Sequence, residues 1–148
     1  MRSVISLLAL VIFPSLLLAQ HAGFASADEG VSFDGNDIVS YFDTNGPVKG
    51  TASHSYEYHG LKLQFSSKQN LEEFKANPSK YLPAYDGWCA IALTQGSWVR
   101  PDFNEYKIQD GRLLFFEVRA FFNGKTAWNK DPDLNKIVAD HKFKALQE

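Results

Sequence analysis

Cysteine is nearly absent from this chain: Cys89 is the single one in 148 residues. A lone thiol excludes an intramolecular disulfide and a Cys-x-x-Cys redox pair. Nor can it assemble a cysteine cluster of the kind that closes many structural zinc sites. His-Glu-x-x-His and the Gly-rich phosphate loop are missing too. No sign of charge dominates: 15 Lys and Arg stand against 17 Asp and Glu, for a net charge of −2 and no basic stripe. Nucleic acid is thereby a poor partner. Long apolar runs are confined to residues 4–18, broken by Ser6, Pro14 and Ser15. That is shorter than the roughly 20 residues a membrane span needs. No repeat and no low-complexity segment is visible.

The apolar run follows Arg2 and precedes Ala25-Ser26-Ala27. A positive start, an apolar centre and two small residues before a cut describe an export signal. Residues 1–27 therefore read as a cleaved signal peptide, cut before Asp28, and the product as periplasmic or secreted with no stable membrane span. The mature chain, 28–148, suits one domain. In an oxidising compartment its thiol is buried, reactive, ligating or paired with another molecule. What the chain does have is aromatic mass: 12 Phe, 6 Tyr and 3 Trp. Each buries on the order of 150–250 Å², enough for a core without disulfides.

Residues 55–65 alternate, with Tyr56, Tyr58, Leu61, Leu63 and Phe65 on one side of Glu57, Lys62 and Gln64. With His59-Gly60 between the halves, this predicts a hairpin. A helix should follow, capped by Ser66 with Gln69 three residues on, carrying Leu71 and Phe74 on one face and broken at Pro78. A second hairpin is expected around Asp110-Gly111. Helices are expected over 120–128 and from Asp133 to about Leu146, separated by Asp131-Pro132. Residues 38–42 read as a short strand or a turn, and 89–93 as a buried apolar segment. The fold class is α+β: a small single domain of β-hairpins and short helices with a helical C-terminal extension.

Several runs together resemble the YHS domain family, and its exported stand-alone bacterial members above all. They are Gly35-Asn36-Asp37-Ile38-Val39-Ser40-Tyr41-Phe42, then Lys49-Gly50 and Ser53-His54-Ser55, then the stretch from Asn70 through Phe74 and Pro78 to Tyr81, and finally Tyr85-Asp86-Gly87-Trp88-Cys89-Ala90. Asp110-Gly111-Arg112-Leu113 and Trp128 with Ala139-Asp140 follow the family's C-terminal extension more loosely. The resemblance implies a treble-clef-like core. It also implies kinship with modules on metal transporters and sensors, which carry Phe-Cys-Ser-x-x-Cys before the helix. Here that run is Phe65-Ser66-Ser67-Lys68-Gln69-Asn70, with both cysteines replaced.

Three residues are candidate metal ligands: Cys89 as thiolate, His54 as imidazole and Asp37 as carboxylate. Thiolate and imidazole suit borderline-soft ions such as copper or zinc. The reading they support is a non-catalytic module for a transition metal or a metal-containing ligand, with no catalytic residues assigned. Cys89 also follows a Gly-containing turn that could place it, exposed and acidified, at a helix start. The alternative is a structural or protein-interaction domain with Cys89 buried as a small hydrophobe. A thiol redox protein is a third reading. Asp37 could instead cap its turn. His59 reads as a turn residue and His141 as part of a solvated helix face. Tyr81, Tyr85, Trp88 and Trp98 line either a ligand pocket or the core.

Overall fold

The computed structural model describes residues 23–27 and 30–148. The apolar run 4–18 and Asp28 lie outside them. Two hairpins form for one local reason. β1 (Thr51–Tyr58) and β2 (Leu61–Phe65) meet at His59-Gly60, with φ of 47° and 83°. β3 (Asp102–Gln109) and β4 (Arg112–Phe116) meet at Asp110-Gly111, with φ of 52° and 73°. Two successive positive φ values make the primed turn whose twist matches antiparallel strands.

The hairpins also share a register. β1 pairs with β2 as Thr51↔Phe65 and then Ser55↔Gln64, with an irregularity between. β3 pairs with β4 as Asp102↔Phe116 and then Tyr106↔Phe115, again with an irregularity between, so 102 − 51 = 51 residues separate the two patterns. Upstream of each lies a rare backbone turn. Phe33, Asp34 and Gly35 have φ of 56°, 54° and 75°; Tyr85, Asp86 and Gly87 have 57°, 52° and 81°. Each closes identically, Asn36 N–H on Phe33 O and Trp88 N–H on Tyr85 O, both at 3.0 Å. The domain is thus built from one unit used twice, at 33–65 and 85–116. The repeat is hidden in the sequence because conformation, not side chain, is what recurs. Asp34/Asp86, Gly35/Gly87, Gly60/Gly111, Leu63/Leu114 and Phe65/Phe116 are among the few shared identities.

Each unit has its own core. Phe33, Ile38, Val39, Tyr41, Phe65 and Phe74 belong to the first; Tyr85, Ala90, Leu93 and Trp128 belong to the second. β4 separates them. Its Leu113 and Phe115 enter the first core, while Leu114 and Phe116 enter the second. A strand alternates faces residue by residue, so a strand buried on both sides is apolar throughout.

Helices complete the cores. α1 (Lys68–Ala76) lays Phe74 against Phe65 and Tyr58, ring centres 5.4 Å apart in both pairs. Its cap is Ser67, which accepts from Asn70 N–H at 3.1 Å, rather than the expected Ser66, which is engaged elsewhere. Pro78 begins α2 (Pro78–Tyr81). Residues 38–42 form no strand; Ser40–Phe42 is a 3-10 turn. α3 (Ala90–Leu93) is the corresponding turn of the second unit.

A small hairpin, β5 (Val118–Arg119) and β6 (Phe122–Asn123), delays the helix expected from residue 120. α4 begins only at Gly124 and ends at Trp128. α5 (Pro132–Gln147) is capped by Asp131, with proline in its first turn, and buries Ala139. Asp140 accepts the Tyr85 hydroxyl at 2.8 Å and pairs with Arg112 at 2.9 Å. The α+β class stands, and no helix among the described residues is long and apolar enough to cross a membrane.

Gly50 is the tightest backbone approach. A Cβ there would lie 2.3 Å from the Gln64 carbonyl carbon and 2.4 Å from its oxygen. Gly50→Ala is expected to cost roughly 1–3 kcal/mol, the usual penalty for overpacking. A urea midpoint equal to wild type would show that the strands separate freely at this point.

Candidate functional site

Asp37 is fully buried and fully engaged. Its Oδ1 accepts Val39 N–H at 2.9 Å, an Asx turn. Its Oδ2 accepts Ser66 N–H at 2.8 Å, the Ser66 hydroxyl at 2.7 Å and the Asn70 amide at 2.7 Å. Ser66 and Asn70 are the two positions at which the resemblance implies cysteine. Where the resemblance implies two thiolates, this chain holds a hydroxyl and an amide that both donate to one carboxylate. Such charge-assisted bonds are about twice as strong as neutral ones. The arrangement does not fit a cation, because the carboxylate already faces a set of N–H and O–H donors.

Cys89 sits at the start of α3 as expected, but it is wholly buried. Its Sγ accepts Glu117 N–H at 3.2 Å. Burial pushes the thiol pKa up from its ordinary value, outweighing the backbone N–H groups of Ala92 and Glu117, which pull it down. The four residues of α3 do not turn Cys89 into an exposed, acidic thiol. A protonated thiol is a weak nucleophile and a poor metal ligand.

Cys89 and Asp37 are equivalent positions of the repeated unit. Asp37 N–H donates to Val48 O at 2.9 Å, and Cys89 N–H donates to Val99 O at 3.0 Å. Each side chain then accepts the N–H of the first residue beyond the second strand: Ser66 after Phe65, Glu117 after Phe116. A carboxylate does in one unit what a thiol does in the other.

His54 lies elsewhere. It is half-buried on β1, with its Nδ1 3.3 Å from Thr51 Oγ1. The structure joins Asp37 to Ser66 and Asn70, and Cys89 to Val99 and Glu117. It does not gather the three candidate ligands: among the described residues no group of three or more His, Cys, Asp or Glu side chains could hold a metal ion. His59 is the first residue of the β1–β2 turn, and His141 is exposed on α5. Tyr81 and Tyr85 are core residues, while Trp88 packs edge-on against Trp98 at 5.7 Å. Glu117 escaped the sequence reading because its contribution is a backbone N–H. Ser66 and Asn70 were legible as cysteine replacements, but not as partners of Asp37.

The YHS domain family model matches residues 39–85. The match runs from the first unit through α2 and stops at Tyr85, where the second unit opens. No curated protein and no solved structure matches the chain.

Two measurements test these assignments. Asp37→Asn turns an amide N–H₂ toward other donors and should lose roughly 1.5–3 kcal/mol, the worth of a hydrogen bond to a charged group. Unchanged denaturant stability would remove the carboxylate from the fold's essentials. Cys89 in the native, metal-free protein should react with an aromatic disulfide reagent no faster than the protein opens, and quickly in urea. Immediate native labelling would contradict the burial of the thiol.

Proposed function

The chain carries a YHS domain at residues 39–85, and from that premise we propose that the protein is exported and is a non-catalytic protein-contact domain whose cysteine is structural. Cys89 fills the post that Asp37 fills in the other unit. A residue with a backbone N–H to satisfy needs no metal to account for it.

The observation that carries the contact reading is the hairpin at β5 and β6. In the first unit α1 starts at Lys68, three residues after β2. In the second unit the hairpin is inserted at the same point, before α4. Its apolar side chains face out: Phe121 is fully exposed, with Phe122 and Val118 each more than two-fifths exposed beside it. Two surface depressions, of about 490 and 440 Å³, adjoin it, and Phe122, Ala127 and Lys130 line both. Arg119, Lys130, Asp131 and Asn135 supply a polar rim of mixed charge. An apolar centre with a mixed polar rim suits a protein surface presenting apolar side chains. A predominantly anionic lipid surface would be met by an unmixed basic rim.

Contact is tested by placing a photo-crosslinking amino acid at position 121, and as a control at Glu72 on α1, in cells that make the protein. A discrete adduct from 121 and none from 72 is expected. No adduct from either position, or equal adducts from both, would overturn the reading. Native mass spectrometry decides the competing metal reading. Copper or zinc retained by the protein and lost in Cys89→Ala would replace a structural cysteine with a ligating one.

A further inference from the structure

Residues 23–27 belong by sequence to the end of the leader, yet they are built into the domain. Trp88 donates its indole N–H to Gly23 O at 2.7 Å. Ala25 N–H donates to Asp86 O at 2.9 Å. Ser26 is fully buried, and its carbonyl accepts the Ser32 hydroxyl at 3.2 Å. The same hydroxyl accepts Lys62 N–H at 3.0 Å, which ties the segment to β2. Phe24 packs against the first core.

The place where these contacts fall gives them their meaning. Asp86 is the middle of the second left-handed turn, and Ser32 directly precedes the first. The two turns abut. A Cβ on Gly87 would lie 3.4 Å from the Phe33 ring and 3.8 Å from the Ala25 side chain. Both turns hold non-glycine residues at positive φ, a conformation that persists only where the surroundings over-determine it. The segment crosses the seam and bonds to both sides of it. A cut before Asp28 would discard a buried residue, an aromatic contact and the indole's acceptor.

We propose that the leader is removed at or before the Ala22–Gly23 bond, and that residues 23–27 stay in the mature protein as a strap joining its two units. The step is peptide hydrolysis by a signal peptidase. Water adds across one peptide bond, the leader leaves with the new carboxylate, and the mature chain begins with the new amino group. Ala19 and Ala22 each offer a small residue directly before such a cut, within four residues of the end of the apolar run. The position three back from the bond is then Leu17 or Gln20. The small pair Ala25 and Ala27 satisfies the enzyme's preference better. Sequence preference and packing therefore point to different bonds, and the proposal sides with packing.

The proposal rests on the export reading, and one preparation separates the two. The full chain is expressed in a Gram-negative host, recovered from the periplasm, and its first residue read by N-terminal sequencing and intact mass. A start at Gly23 or between it and the leader's apolar run is expected. A start anywhere from Phe24 to Asp28 overturns the proposal and leaves export standing. A chain still beginning with Met1 overturns export, and the proposed cut with it. Hydrogen exchange on the same material tests the strap itself. The Ala25 amide should be protected by at least tenfold over the free-chain rate, and exchange at that rate overturns the strap.

Discussion

A backbone N–H that emerges from the end of a buried strand must find an acceptor, and this requirement organises the molecule. It arises twice, at Ser66 and at Glu117, because the same bulged hairpin is used twice. In each unit the acceptor comes from a side chain directly after a left-handed turn. That turn aims the chain so that one residue bonds through its own N–H to a loop carbonyl and through its side chain to the strand end. An unmade bond at such a place costs about 1–3 kcal/mol. Either a carboxylate or a thiol meets the demand, so the two positions differ in chemistry while agreeing in geometry.

The two acceptors differ because their neighbours do. Around Asp37 the chain leaves the second strand at Ser66 and leads on to Asn70, side chains whose hydrogen bonds together offset the desolvation of a buried carboxylate. The corresponding exit in the second unit is Glu117, itself nearly buried and paired with Arg119. A carboxylate in place of Cys89 would bring a second negative charge beside it. A neutral thiol avoids that repulsion and still accepts the bond. The raised thiol pKa is thus a consequence of the role, since only a protonated sulfur is comfortable there.

Much of the fold was legible because it rests on local chemistry. Both primed turns, the alternation of residues 55–65, the Pro78 break and the Asp131-Pro132 break ahead of the last helix are properties of a few adjacent residues. What stayed hidden is non-local. Ser66 reads as a helix cap until Asp37, far away in sequence, claims its hydroxyl and passes the cap to Ser67. The repeat escaped notice because left-handed backbone is carried by Phe33 and Tyr85 as well as by glycine. The candidate ligands could be named one at a time from the sequence, but that the fold does not gather all three could not. In the structure Asp37 and Cys89 hold equivalent places, each accepting the N–H that leaves the end of a strand.

The duplication also separates what the fold needs from what has been added. Each half supplies a left-handed turn, an acceptor, a bulged hairpin and a core, and β4 serves both cores at once. Elements without a counterpart in the other half owe their presence to something else. α5 is explained by packing, since it buries Ala139 and anchors Tyr85 and Arg112 through Asp140. The β5–β6 hairpin is not. Asn123 at its base holds Glu105 and caps α4, but its tip lifts Phe121 entirely into water. Exposing an aromatic ring on a two-strand projection gives up burial worth about 2–3 kcal/mol, and no packing within the unit recovers it. Under the proposed contact, a partner protein that covers the ring recovers this cost.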